Sequence, residues 1–156
     1  GYEWISEWIL VSAETGEAIR FDGSEWDPLC AGDTAMVLVR NSGEENGLYC
    51  YDFAAASLEK LDFDTESYTV EDCIAGENGM AFTAVEQDQD GLARHLYRFD
   101  PSDRSIACTG VSISARNDVR VELLALLPDG SILANYSVHP GEQEVFLVPG
   151  TEAGAQ

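Results

Sequence analysis

The stretch Ala75-Gly76-Glu77-Asn78-Gly79-Met80, continuing through Ala81-Phe82-Thr83-Ala84-Val85 to Leu96-Tyr97-Arg98-Phe99-Asp100, decides the fold. It reads as the end of a strand, a tight turn, a second strand, a polar loop and a third strand. The same parts recur upstream as Ala31-Gly32-Asp33-Thr34-Ala35-Met36 with Leu48-Tyr49-Cys50-Tyr51-Asp52. They recur downstream as Leu127-Pro128-Asp129-Gly130-Ser131-Ile132 with Val145-Phe146-Leu147-Val148. Leu48 and Leu96 are 48 residues apart and Leu96 and Val145 are 49 apart. A fixed period of roughly 40–50 residues marks propeller blades or helical solenoids. Short β-rich runs between Gly, Asn, Asp and Pro clusters favour blades, because helical repeats need three- and four-residue apolar spacing sustained over about ten residues.

Working outward, residues 2–21 hold Trp4 and Trp8, which share a face at either strand or helix spacing; the turn Ala13 to Glu17 before Ala18-Ile19-Arg20-Phe21 favours a hairpin. The expected units are approximately 27–66, 67–115 and 116–150, in a single repeat domain covering 1–156. Strands are predicted at Leu29–Ala31, Met36–Arg40, Leu48–Phe53 and Leu58–Leu61 in the first unit. The second has Tyr68–Ile74, Met80–Val85, Leu96–Asp100 and Ile106–Val111, and the third Val119–Leu127, Ile132–Val138 and Val145–Val148. Composition makes Ala54 to Leu61 a good helix. Eight residues are too few for an isolated helix, and the counterpart Pro101 to Ile106 is a turn into a strand, so β is predicted there too. The fold class is all-β, with about three propeller-blade-like four-stranded antiparallel units in an incomplete propeller or open sheet stack.

With 156 residues, 45% hydrophobic and 10% aromatic, the chain is a folded domain rather than a disordered one. Twenty-nine acidic against eight basic residues give a formal net charge of −21. That field repels phosphate backbones and anionic lipid headgroups, so neither nucleic acid nor membrane insertion is expected. No apolar run reaches the roughly 18 residues of a transmembrane helix, and no signal sequence opens the chain. Cys30, Cys50, Cys73 and Cys108 form neither a paired metal motif nor a dense disulfide framework and read as small buried hydrophobes. Cys30 and Cys73 each precede an Ala-Gly-acid sequence, which predicts matching places in neighbouring units, too far apart for a disulfide.

Leu126-Leu-Pro-Asp-Gly-Ser-Ile-Leu-Ala134 with Val145-Phe-Leu-Val-Pro149, and Leu96-Tyr-Arg-Phe-Asp-Pro101, resemble the blades of TolB-type bacterial β-propellers. Only the third unit keeps the Pro-Asp-Gly turn, and Phe53 stands where the second unit has Pro101. The resemblance implies an extracytoplasmic binding or scaffold module and no particular ligand. Closed propellers have four to eight blades, so about three units imply part of a larger ring, half of a dimeric ring, or an open stack with edges to be covered.

The sharpest local motif is Glu86-Gln87-Asp88-Gln89-Asp90-Gly91. Glu86, Asp88 and Asp90 match the opening oxygen ligands of a Ca²⁺ loop, but position 12 is Tyr97 rather than a bidentate glutamate, so an acidic hairpin is the plainer reading. Asp62 and Asp64 would share a face if extended, as solvated charge or a cation pair. His95 and His139 lie beside predicted loops in different units. Trp4, Trp8, Trp26, Tyr49 and Tyr51 offer either core packing or a sugar-stacking platform. Asn135-Tyr136-Ser137 matches a glycosylation acceptor but falls in a predicted strand. No nucleophile elbow, phosphate loop or zincin motif occurs. The expectation is a non-catalytic extracytoplasmic module, without cofactor, that meets a protein partner or itself through blade edges. A carbohydrate-binding or glycoside-hydrolase-related domain is the alternative, marked by aromatics and two carboxylates in one concave pocket.

Overall fold

The structure, a computed structural model, describes residues 6–88 and 91–150, with only the backbone of Gln87, Asp88 and Gly91. Trp4, Asp90 and the tail 151–156 lie outside the described residues. Thirteen strands in four antiparallel sheets are described, and no α-helix. The first sheet is the hairpin β1 (Glu7–Val11) and β2 (Ala18–Asp22). The second is β3 (Trp26–Ala31), β4 (Ala35–Arg40), β5 (Gly47–Asp52) and β6 (Ser57–Lys60), and the third is β7 (Tyr68–Ala75), β8 (Met80–Asp88), β9 (Gly91–Asp100) and β10 (Ser105–Ser114). The fourth has β11 (Val119–Leu126), β12 (Ile132–Val138) and β13 (Glu142–Val148). Each sheet runs in chain order as a meander, and none closes into a barrel.

The repeat is visible in the pairing. Met36 faces Tyr51, Met80 faces Phe99, and Ile132 faces Val148. Counting back three residues makes Leu48, Leu96 and Val145 structural equivalents, as the sequence period predicts. The first strand of each larger sheet carries a register shift, at Pro28/Cys30, Val70/Asp72 and Leu123/Ala125. An extra residue there bends and twists the strand.

The helix-prone segment after Asp52 is a turn and then β6. The Asp52 carboxylate accepts the Ala55 N–H at 2.8 Å, and Ala56 takes φ 51°. The next unit repeats the device: Asp100 accepts from Ser102 N–H at 2.9 Å, and Arg104 takes φ 64°. An aspartate that closes its own turn outcompetes the helical alternative, as side-chain to backbone bonds commonly do.

The sheets stack in chain order over three separate cores. Between the first and second lie Phe21, Trp26, Met36, Leu38, Tyr49 and Tyr51, with Leu10 and Ile19 from the hairpin. Val37, Leu48, Cys50, Met80, Phe82 and Ala84 fill the next gap, and Ala81, Leu96, Leu123, Ile132, Ala134 and Val148 the last. Strand β7 lies against both β3 and β11, so the first strands of the larger sheets adjoin on one side of the stack. Gly76 permits one close approach: a Cβ there would stand 2.7 Å from the Leu126 carbonyl oxygen.

The cysteine expectation is overturned. Cys30 and Cys73 are bonded, with Cα atoms 5.8 Å apart. Ala31 pairs with Met36 and Ala75 with Met80, so these alanines are the true equivalents; Cys30 precedes its alanine by one residue and Cys73 by two. One residue of offset in a strand reverses the side chain's face. Cys30 therefore faces forward to the third sheet and Cys73 back to the second, and they meet between adjoining β3 and β7. Cys50 is the buried hydrophobe expected, whereas Cys108 is exposed.

Candidate interaction surface

The register equivalence fixes which face of each sheet meets the next. Leu48 and Cys50 of β5 point from the second sheet into the third and are 1% and 0% exposed. Their counterparts in β9 are Leu96, 3% exposed against the fourth sheet, and Arg98, which donates to the carbonyls of Gly130 and Pro149 in that sheet. In β13 the same positions are Val145 and Leu147. They are 55% and 54% exposed, because no described residue forms a fifth sheet.

The face in front of β13 is thus built like an inter-sheet contact and left uncovered. Half-buried Leu133 of β12, paired with Leu147, extends it. Covering the exposed halves of Val145 and Leu147 would contribute about 2 kcal/mol. The opposite end of the stack has a smaller counterpart in Ile9 and Val11 of β1, 50% and 57% exposed.

β13 is also an edge. It pairs with β12 along its whole length, and among the described residues no strand pairs with its other side. In the second and third sheets that side holds β6 and β10. Glu142 and Glu144 stand exposed at the start of β13, which blunts the edge with charge. The sequence contained the exposed strand but no sign of it, since Val145 has the same apolar character as its buried equivalents Leu48 and Leu96.

The other candidates are dispersed. Glu86 of β8 is drawn to His95 of β9, with Oε2 and Nε2 3.0 Å apart, and His95 lies within a strand rather than beside a loop. The Asp88 side chain and Asp90 lie outside the described residues, and no cluster of three metal-ligating side chains is found among the described ones. Asp64 does not share an extended face with Asp62: it closes a turn by accepting from the Ser67 and Glu66 N–H groups, and the Ser67 hydroxyl together with these N–H groups holds its carboxyl below the usual range. His139 is exposed at the turn between β12 and β13 of the fourth sheet, whereas His95 belongs to the third. Asn135 is in β12, half-buried, as the strand prediction requires.

Trp26, Tyr49 and Tyr51 are core residues: the Trp26 and Tyr49 rings meet edge to face at 5.0 Å. Of the aromatics proposed as a sugar platform, only Trp8 is exposed among those described, at 46%. Burial, with Tyr68 beside it, pushes the Tyr97 hydroxyl up to about 12, as suits a ring stacked on Phe82 at 5.1 Å. A cleft of about 500 Å³ between the turns of the second and third sheets is lined by Asp33, Asp52, Glu77, Asp100 and Arg104. Three of these charges are engaged in the fold: Arg104 reaches Asp52 at 3.0 Å from across the cleft, and Asp100 accepts from Ser102.

The chain matches no protein-family model, no curated protein and no solved structure. No described helix is long and apolar enough to cross a membrane.

Proposed function

We propose that the protein is a non-catalytic binding or scaffold module that acts through protein contacts on the open face and edge of its fourth sheet. The observation that carries this is the exposure of Val145, whose equivalents Leu48 and Leu96 are buried, and of Leu147, whose equivalents are buried Cys50 and half-buried Arg98. A flat apolar face beside an unpaired strand suits a polypeptide better than a small polar ligand. Burial of Trp26, Tyr49 and Tyr51 in the core between the first and second sheets, where their ring faces are not open to a sugar, favours this over a carbohydrate module.

The resemblance to TolB-type blades and the disulfide between Cys30 and Cys73 both support an extracytoplasmic location, since disulfides persist in oxidising compartments. Light scattering over a concentration series, with a glycan panel in parallel, tests the reading. Val145→Asp with Leu147→Asp is expected to abolish self-association or partner binding without unfolding the chain. Hydrolysis of a glycan, lost when a single carboxylate becomes its amide, would overturn it.

A further inference from the structure

The second and third sheets show what covers the strand equivalent to β13. In the second, Leu58 pairs with Tyr51, Glu59 with Cys50 and Lys60 with Tyr49, and the Leu61 N–H donates to the Leu48 carbonyl at 2.8 Å. In the third, Ile106 pairs with Phe99, Ala107 with Arg98 and Cys108 with Tyr97, and the Thr109 hydroxyl donates to the Leu96 carbonyl at 2.9 Å. Both outer strands run antiparallel, begin opposite equivalent aspartates, Asp52 and Asp100, and donate to the same carbonyl, beyond which β10 continues past a register shift to Ser114. Transferred by register, that carbonyl is Val145's and the starting position is Pro149, so the first residue after the start lies opposite Val148.

We infer that the free edge of β13 binds an extended peptide segment, antiparallel, whose apolar residues lie opposite Leu147 and Val145 and whose basic residues follow, opposite Glu144 and Glu142. This inference rests on the proposed function and gives it an orientation, a register and a partner chemistry. Residues in an antiparallel pair turn their N–H and C=O groups alternately to one side and the other. Since the Leu48 carbonyl faces the outer strand, the backbone groups of Val145, Leu147 and Gln143 face the free edge. The partner's second and fourth residues, opposite Leu147 and Val145, then exchange main-chain bonds with β13 and place their side chains on the open face. Strand addition gives affinity through those bonds and specificity through alternate side chains.

Charge sets the direction. Glu142 and Glu144 are exposed at one end of β13, while Phe146 and Val148 are half-buried and buried at the other. The net charge of −21 draws any basic segment to the protein without orienting it. A forward and a reversed peptide of identical composition therefore separate attraction from register.

The test is fluorescence anisotropy with the full chain and two labelled peptides, TVTVKTK and its reverse KTKVTVT. The forward peptide is expected to bind at least tenfold more tightly. N-methylation of either valine should weaken it about fivefold or more, the loss expected of one main-chain hydrogen bond, whereas N-methylation of the threonine between them should change it less than twofold. Val145→Pro should reduce binding similarly, because it removes an N–H that faces the edge and proline is tolerated on edge strands. The methylated peptides decide the matter even if that variant fails to fold.

Equal binding of the two peptides, insensitivity to the methyl position, or no binding at all would overturn the inference. So would occupation of the edge by a second copy, seen as concentration-dependent mass, or by residues 151–156, seen as peptide binding only after their removal. A face-dependent partner that survives Val145→Pro would leave the proposed function standing while the edge register fell.

Discussion

Reducing the bond between Cys30 and Cys73 should destabilise the protein by about 4 kcal/mol at 25 °C. The cysteines are 43 residues apart in sequence. In the chain-entropy description a cross-link of that span removes about 13 cal/mol/K from the unfolded ensemble, which is about 4 kcal/mol at room temperature. The bond joins β3 to β7, so it closes the junction between the second and third sheets rather than a local loop. For a chain of this size, about 2–4 °C of melting temperature per kcal/mol converts the loss to roughly 8–16 °C. Urea denaturation with and without reductant measures it, and Cys30→Ala with Cys73→Ala should reproduce the reduced curve and be insensitive to reductant. An unchanged urea midpoint on reduction, or a peptide map of the unreduced protein joining other cysteines, would refute the offset that brings these two side chains face to face.

Three further outcomes test the packing. A thiol reagent should find one reactive group in the native protein, Cys108, and a second on unfolding, Cys50, whose thiol is pushed up by burial; the remaining two should appear only after reduction. Leu48→Ala should cost about 2–5 kcal/mol, whereas Val145→Ala at the equivalent position should change stability by less than about 1 kcal/mol in the isolated chain, both read by urea denaturation. The Asp52 carboxyl is held below its ordinary value by the Ala55 N–H and by Arg104. Its folded value lies below its unfolded one, so its contribution is present above about pH 4 and lost as pH falls through the folded value. Asp52→Asn should therefore flatten the acid limb of a stability-versus-pH curve measured by circular dichroism.

Most of the architecture was legible because the period, the turn residues and the alternation agree. Ala75 to Met80 and Pro128 to Ile132 are strand-connecting turns, and the equivalence of Leu48, Leu96 and Val145 emerges in the pairing. Even the helix-prone Ala54 to Leu61 yields to the repeat, through the same aspartate turn that Asp100 closes one unit later. The cysteine pairing was not legible, because aligning motifs to within a residue leaves the face of a strand side chain undetermined. The open face of the fourth sheet was hidden for a different reason. Val145 has the apolar character of its buried equivalents Leu48 and Leu96 and differs in what lies in front of it, and exposure belongs to the assembly of sheets rather than to the strand.

The looseness of the repeat also has a physical cause. Each junction between sheets is closed by its own chemistry, so the units differ in sequence where each meets its neighbour. The first junction is aromatic, with Trp26 between Phe21 and Tyr49 and the Arg40 guanidinium 5.3 Å from the indole centroid. The second adds the disulfide and the Arg104 bridge to Asp52 and Glu59. The third is polar at its rim: the Asp72 carboxylate accepts the Leu123 N–H at 2.9 Å, and Arg98 holds the Gly130 and Pro149 carbonyls. Cys50, Arg98 and Leu147 are one structural position serving, in turn, as core, as clamp and as open surface. A motif search across such positions finds little to align, although the backbone register beneath them is shared. The same logic bears on the fourth sheet: where two junctions need a buried residue and a clamp, Val145 and Leu147 supply an apolar pair with no polar device of their own. In the proposed contact, a partner covering them would bring its main-chain hydrogen bonds to the side of β13 that no described strand pairs.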